Sequence, residues 1–298
     1  LEVAIANVIQ SSQNRDQHIQ KLAANISRSA ATSAIRYFPV FARLGDQESL
    51  NAVANYLKSD NPDLRNAAVA AIADWSTPLA LNELIQLSRT DLSADLNGKV
   101  FAGLVKNINK SSETNDQKTL LLKDAFAVAK NTTQKRTVLA SLQATGTYQA
   151  LVFASKYMKD PELKGAAVNT AMNIALDNKS FVGTEIRTIL NEVIGNLSGS
   201  ESSYLKEAVI KHLAEMSKSE GFVSLFNGQD LTGWKGLVAN PIKRSQMTEK
   251  ELAAAQLKAD EQMRQGWIAK NRELIFTGKG DNIATIKQYG DFEMLVDW

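Results

Sequence analysis

The chain has 298 residues, 44% of them hydrophobic, with 34 Lys and Arg against 32 Asp and Glu and no cysteine. That length and apolar share suffice for two domains, each with its own core, in a soluble globular protein. A net charge of +2 without a long basic run excludes the electrostatic footprint of a nucleic-acid binder. The lack of cysteine excludes disulfide staples, thiolate metal sites and a cysteine nucleophile. No stretch has the apolar length of a membrane span, so no transmembrane segment is expected. The first ten residues lack the basic start and cleavage pattern of a signal peptide, and with Leu at position 1 the sequence reads as a processed or partial product.

From the start to about Lys218, apolar residues recur at helical spacing, interrupted every dozen or so positions by Gly, Pro, Asn or Asp. Asp60-Asn-Pro-Asp-Leu-Arg-Asn-Ala-Ala-Val69 and Asp160-Pro-Glu-Leu-Lys-Gly-Ala-Ala-Val168 share a pattern in which Leu64 and Leu163, 99 residues apart, precede the same Ala-Ala-Val step. Three units of about 33 residues fit that separation. Leu96 falls in phase, 32 residues after Leu64, and opens a helix through Val100, Leu104 and Ile108. Second helices follow short turns: Leu50-Val53-Leu57 after Gly45-Asp46, Leu81-Leu84-Leu87 after Pro78, and Leu151-Ala154-Tyr157 after Gly146. Ala67, Ala68, Ala71, Ala166, Ala167 and Ala171 allow close helix approach, while Leu64, Ile72 and Ile174 supply bulk. Residues 1–218 therefore read as an α-solenoid of about five helical pairs, resembling a divergent HEAT-type array. Tyr37, Phe38, Phe41 and Trp75 read as packing between helices, and the solenoid surface as a place for a protein partner. Asn196 to Ser203 reads as a loop, with Ser202 or Ser203 capping a last helix from Tyr204 to about Lys218.

Beyond residue 218 the period changes. Phe292, Met294, Val296 and Trp298 alternate with Glu293, Leu295 and Asp297, the pattern of a half-buried strand. Glu273 to Phe276 and Asn282 to Ile286 are shorter strand candidates joined through Thr277-Gly-Lys-Gly-Asp281. A helix from about 248 to 265 interrupts this region: Thr248-Glu-Lys-Glu251 fits a capping box, Gly266 fits a helix C-terminus, and the stripe Leu252, Ala255, Ala259, Met263 is thin. It reads as a surface insertion outside the core.

Three segments in order, Leu225-Phe-Asn-Gly-Gln-Asp-Leu-Thr-Gly-Trp234, Leu274-Ile-Phe-Thr-Gly-Lys-Gly-Asp-Asn282 and Tyr289-Gly-Asp-Phe-Glu-Met-Leu-Val-Asp-Trp298, closely resemble the opening of the 3-keto-disaccharide hydrolase domain family. The resemblance implies a concanavalin-like jelly-roll β-sandwich over 219–298, with the helix near Thr248 as an insertion found in part of the family. It also implies a carbohydrate substrate and an exported bacterial protein, periplasmic or associated with the outer membrane. From Gly221 the chain offers 78 residues, where a β-sandwich of this kind takes roughly 200. The sandwich is therefore expected to be incomplete and its principal catalytic residues to lie beyond Trp298.

The implied chemistry is cleavage of a glycoside oxidised at sugar carbon 3. The ketone acidifies the hydrogen on carbon 2, a base removes it, the glycosidic oxygen leaves, and water adds to the enone. This needs a base, an acid for the leaving oxygen, and donors or a cation for the enediolate. The resemblance points to a divalent metal for the last role, although the sequence shows no metal-ligand spacing. Asp291 and Glu293 are the candidate catalytic carboxylates, and Trp234, Asp281, Asn282 and Lys287 the candidate substrate-binding residues. Each has a plain structural alternative: Asp281-Asn282 and Asp291 suit turns, Glu293 suits a solvated strand face, and Trp234, like Trp267, suits a core. His18 and His212, the only histidines, are too far apart in sequence to suggest a triad or zinc site. A glycan-binding or assembly protein without turnover is the competing functional class.

Overall fold

A computed structural model of the chain describes residues 2–197 and 202–296. The chain divides into two compact units, Leu1–Ser219 and Glu220–Trp298. The first is helical: α1 (Glu2–Gln10), α2 (Arg15–Arg28), α3 (Ala31–Ala34), α4 (Phe38–Leu44), α5 (Gln47–Ala54), α6 (Pro62–Ala73), α7 (Leu81–Ser88), α8 (Ala94–Lys110), α9 (Asn115–Val128), α10 (Thr132–Thr145), α11 (Tyr148–Ser155), α12 (Lys164–Asp177), α13 (Thr184–Asn196) and α14 (Ser203–Glu215). Among its described residues, no helix is long and apolar enough to cross a membrane.

Side-chain caps start many of these helices, each satisfying backbone N–H groups that the first turn leaves unpaired. The Asn61 side chain accepts from the N–H groups of Asp63 and Leu64 at 2.9 and 3.3 Å. Asp160, 99 residues on, accepts from Glu162 and Leu163 at 2.9 and 3.1 Å. The polar residue thus repeats with the apolar pattern, but Asn61 caps α6 itself whereas Asp160 closes the turn before α12, whose N-cap position, Leu163, has no side-chain bond. Ser93 caps α8 and Asn131 caps α10 in the same way. Ser202 precedes α14 without a side-chain cap bond, and the helix stops at Glu215, short of the Lys218 that periodicity suggests.

Consecutive members of the series α4, α6, α8, α10, α12 and α14 touch, and α5, α7, α9, α11 and α13 each pack on the members beside them. Hydrogen bonds tie successive layers at nearly constant separation. Thr77 Oγ1 donates to the Gly45 carbonyl, Asn109 Nδ2 to Ser141 Oγ and Thr170 Oγ1 to the Leu139 carbonyl, across 32, 32 and 31 residues. Phe38, Phe41, Leu50, Ile72, Trp75, Leu84, Ile108, Leu122, Leu139, Leu142 and Leu151 are fully buried in one continuous core. At Gly103 the helices need the missing side chain: a Cβ there would lie 2.2 Å from the Ala73 carbonyl oxygen of α6.

The second unit contains β1 (Trp234–Gly236), α15 (Pro241–Ser245), α16 (Glu249–Gly266), β2 (Trp267–Lys270), β3 (Glu273–Phe276) and β4 (Ile283–Thr285). Its strands form two antiparallel pairs, β1 with β4 and β2 with β3. The β2–β3 turn places Asn271 and Arg272 at φ of 54° and 65°, the left-handed backbone that matches the twist of a two-residue hairpin.

Two expectations change here. The strand read from Phe292 onward is irregular backbone through Val296, because no neighbouring strand takes up its N–H and C=O groups; Asp297 and Trp298 lie outside the described residues. β3 and β4 do not form one hairpin, since each pairs with an earlier strand. The helix α16 packs through a thin stripe, with Ala259 and Met263 buried and Leu252 and Ala255 half-buried. Its capping box forms as the sequence suggests, Thr248 and Glu251 exchanging bonds. Gly266, however, is the last helical residue, and it is glycine for space: a Cβ would sit against the Lys279 carbonyl oxygen.

Candidate functional site

The segment that carries the resemblance folds into a hydrogen-bonded turn. Asn227 Oδ1 accepts from the N–H groups of Gln229 and Asp230 at 2.8 and 3.0 Å, and its Nδ2 donates to Asp230 Oδ1 at 2.7 Å. The Thr232 N–H also donates to Asp230 Oδ1, at 2.8 Å. Hydrogen bonds from Thr232 and then Asn227 hold the Asp230 carboxyl below its ordinary range, because they favour the charged form. The polar letters of this segment therefore build the turn that delivers Trp234 into β1. No residue-level signal separates that role from ligand contact.

Trp234 is half-buried opposite Thr285 in the β1–β4 ladder, and its indole Nε1 is buried without a partner. Beyond Thr285 the Ile286 N–H donates to the Gly233 carbonyl at 2.9 Å, which keeps the chain beside Trp234 as it enters Lys287. The Lys287 ammonium lies 3.5 Å from Glu220 and 5.3 Å from the Tyr289 ring centroid. Tyr289 in turn faces Phe292 with centroids 6.3 Å apart. The two candidate carboxylates, Asp291 and Glu293, flank Phe292 and are exposed. The Lys287–Glu293 run thus leaves the ladder at the end where Trp234 enters it.

Asp281 and Asn282 stand at the other end, before Ile283. The backbone holds them there: the Asp281 carbonyl accepts from Trp267 Nε1 at 3.1 Å and the Asn282 carbonyl from the Leu237 N–H at 2.9 Å. Their side chains are exposed. Trp267 packs on Phe276 with centroids 5.0 Å apart, so its structural reading, fixing the 277–281 turn, is the one the contacts support. The β4 strand separates Asp281 and Asn282 from Lys287, and no single cleft gathers all six candidates.

Among the described residues no three His, Asp or Glu side chains are grouped to hold a metal ion. In the helical unit a polar groove of about 390 Å³ lies between the first turns of α8 and α10. Its Gln134 amide is already committed, accepting from the Lys130 N–H at 2.6 Å and donating to Asn97 at 3.1 Å. His212, on α14, has its Nε2 buried without a partner. No protein-family model, no curated protein and no solved structure matches the chain.

Proposed function

We propose that the protein processes glycosides, resembling the 3-keto-disaccharide hydrolases, with a HEAT-like α-solenoid in its first unit and the opening strands of a concanavalin-like β-sandwich in its second. The observation that carries this reading is the order and spacing of the three segments at 225–234, 274–282 and 289–298. The near-constant spacing of inter-layer bonds in the helical unit supports the solenoid, since stacked repeats contact only their neighbours. An exported, periplasmic or outer-membrane-associated location in a bacterium goes with the same resemblance.

In this reading the substrate is a 3-keto-glycoside. Trp234, Tyr289 and Phe292 offer aromatic faces to a sugar ring. Asp291 or Glu293 takes the proton from carbon 2; the electron pair forms the carbon 1–carbon 2 double bond and the glycosidic oxygen departs with a proton from an acid. Lys287, which lies on the same side of β4 as Asp291 and Glu293 in the chain, supplies a donor to the oxygen at carbon 3, where negative charge develops. Water then adds across the enone. No step is assigned to a metal.

A second reading, glycan binding without turnover and a solenoid that docks a protein partner, is supported by the exposure of Asp291 and Glu293 in irregular backbone. General base catalysis needs a carboxylate held within about 3.2 Å of its proton, and exposure on irregular backbone does not by itself hold either group there. Incubation of the full-length protein with a 3-keto-glucoside, with and without chelator, separates the two. Release of the aglycone supports the enzyme; saturable binding of the sugar by folded protein without release supports the second reading and defeats the first.

A further inference from the structure

We infer that α16 is an edge guard: its side chains occupy both outward backbone groups of Gly236 on β1, so that no other strand can pair at that residue while the helix is docked. In the antiparallel β1–β4 ladder, bonds alternate along the strand, so every second residue directs its N–H and C=O away from the partner. The bonds flanking the ladder, Ile286 N–H to Gly233 and Leu237 N–H to Asn282, put Gly233, Lys235 and Leu237 in the inward set. Trp234 and Gly236 are then the outward residues of β1.

Both are closed. The Trp234 N–H donates to the Leu231 carbonyl at 3.0 Å. The Gly236 N–H donates to Asp260 Oδ1 at 2.9 Å, and the Gly236 carbonyl accepts from Gln256 Nε2 at 2.9 Å. Gln256 also donates to Asp260 at 2.7 Å, one helical turn away, which locks the two side chains into a single donor and acceptor pair. Together they present to Gly236 what the backbone of a neighbouring strand would present. The helix can come this close only because position 236 lacks a side chain; a Cβ would fall 2.1 Å from the Ala259 carbonyl oxygen. The thin apolar stripe of α16 follows from this docking, since the helix contacts the strand edge through Ala259 and Met263 and not a broad sheet face.

Unpaired strand edges recruit other strands, and proteins cover them with helices or charged side chains for that reason. In this unit the guard leaves β4 as the open side of its pair, which sets the direction in which the sheet can grow.

The test uses the full chain with Asp260→Leu, which removes the acceptor at similar volume, against Asp260→Asn, which keeps an Oδ1 acceptor. Amide exchange at Gly236 and the mass in solution by light scattering are the readouts. Asp260→Leu should raise the Gly236 exchange rate at least about tenfold, the factor equivalent to about 1.4 kcal/mol of lost protection, and bring on concentration-dependent self-association. Asp260→Asn should stay close to the parent in both. Gly236→Ala, which displaces the helix sterically, should behave like Asp260→Leu while far-UV circular dichroism retains the helical signal. Equal behaviour of the Leu and Asn variants, or a monomeric Asp260→Leu protein with Gly236 still protected, would overturn the proposal.

Discussion

The helical unit buries residues from every helix between α4 and α13 in one continuous core, whereas the second unit buries Val238, Ala259 and Met263 and leaves Ile286, Phe292, Met294 and Val296 more than half exposed. Repetition explains the first: each helix pair exposes a face that the next pair covers, so burial accumulates along the chain. In the second unit short two-stranded ladders cannot supply a core, since such pairs are marginal alone, and order comes from one helix gripping backbone at glycine positions. Apolar packing holds one unit; directional bonds and close approach hold much of the other.

That contrast can be broken most severely in the helical core. Leu139→Ala removes a side chain with no exposure and should cost about 2 to 5 kcal/mol in urea unfolding followed by far-UV circular dichroism. Met263→Ala should leave this transition unchanged and alter only the fluorescence of Trp234 and Trp267. Gly103→Ala comes next. Helix propensity favours Ala by about 1 kcal/mol, but the 2.2 Å approach to the Ala73 oxygen makes overpacking dominate, with a net loss of about 1 to 2 kcal/mol in the same melt.

Asn61→Ala and Asp160→Ala sharpen the repeat argument, because each removes an acceptor for two backbone N–H groups just before or at the start of a helix, and matching bonds should have matching effects. Each should cost about 1 kcal/mol, and a twofold or larger disparity between them would separate polar equivalence from apolar equivalence. The smallest effect concerns pH. Burial, then the Lys179 charge, lowers the His212 pKa from its ordinary value of 6.5, while Glu215 opposes the shift. The unfolded chain then takes up its proton at higher pH than the folded one. Stability from this group is complete above pH 6.5 and falls as pH drops from there through the lower folded value. A His212→Gln variant should flatten that slope in acid titrations of the melting temperature.

Local chemistry was legible in the sequence wherever neighbours along the chain decide the outcome. The Leu96–Ile108 stripe and the Thr248–Glu251 capping box depend on residues that neighbour one another along a single helix, and both form. Strand pairing was not legible, because period-2 alternation marks a strand's faces and says nothing of its partner. Phe292 to Val296 alternates and stays unpaired, while the three-residue β1, too short to alternate visibly, is paired and guarded. The glycines at 103 and 236 likewise gave no signal, and Gly266 signalled a helix end but not its close approach, since contact with a carbonyl from another segment leaves no local pattern. The site candidates fall between these cases: their turn chemistry is local, but whether they converge on one ligand is not.

Hydrogen exchange on the full-length protein, with and without a saturating 3-keto-glucoside, tests most directly whether the second unit carries the sugar site. The account predicts new protection at Trp234 and across Lys287 to Glu293, and none in α4 to α13. Protection confined to the helical unit, or none in either, would contradict it.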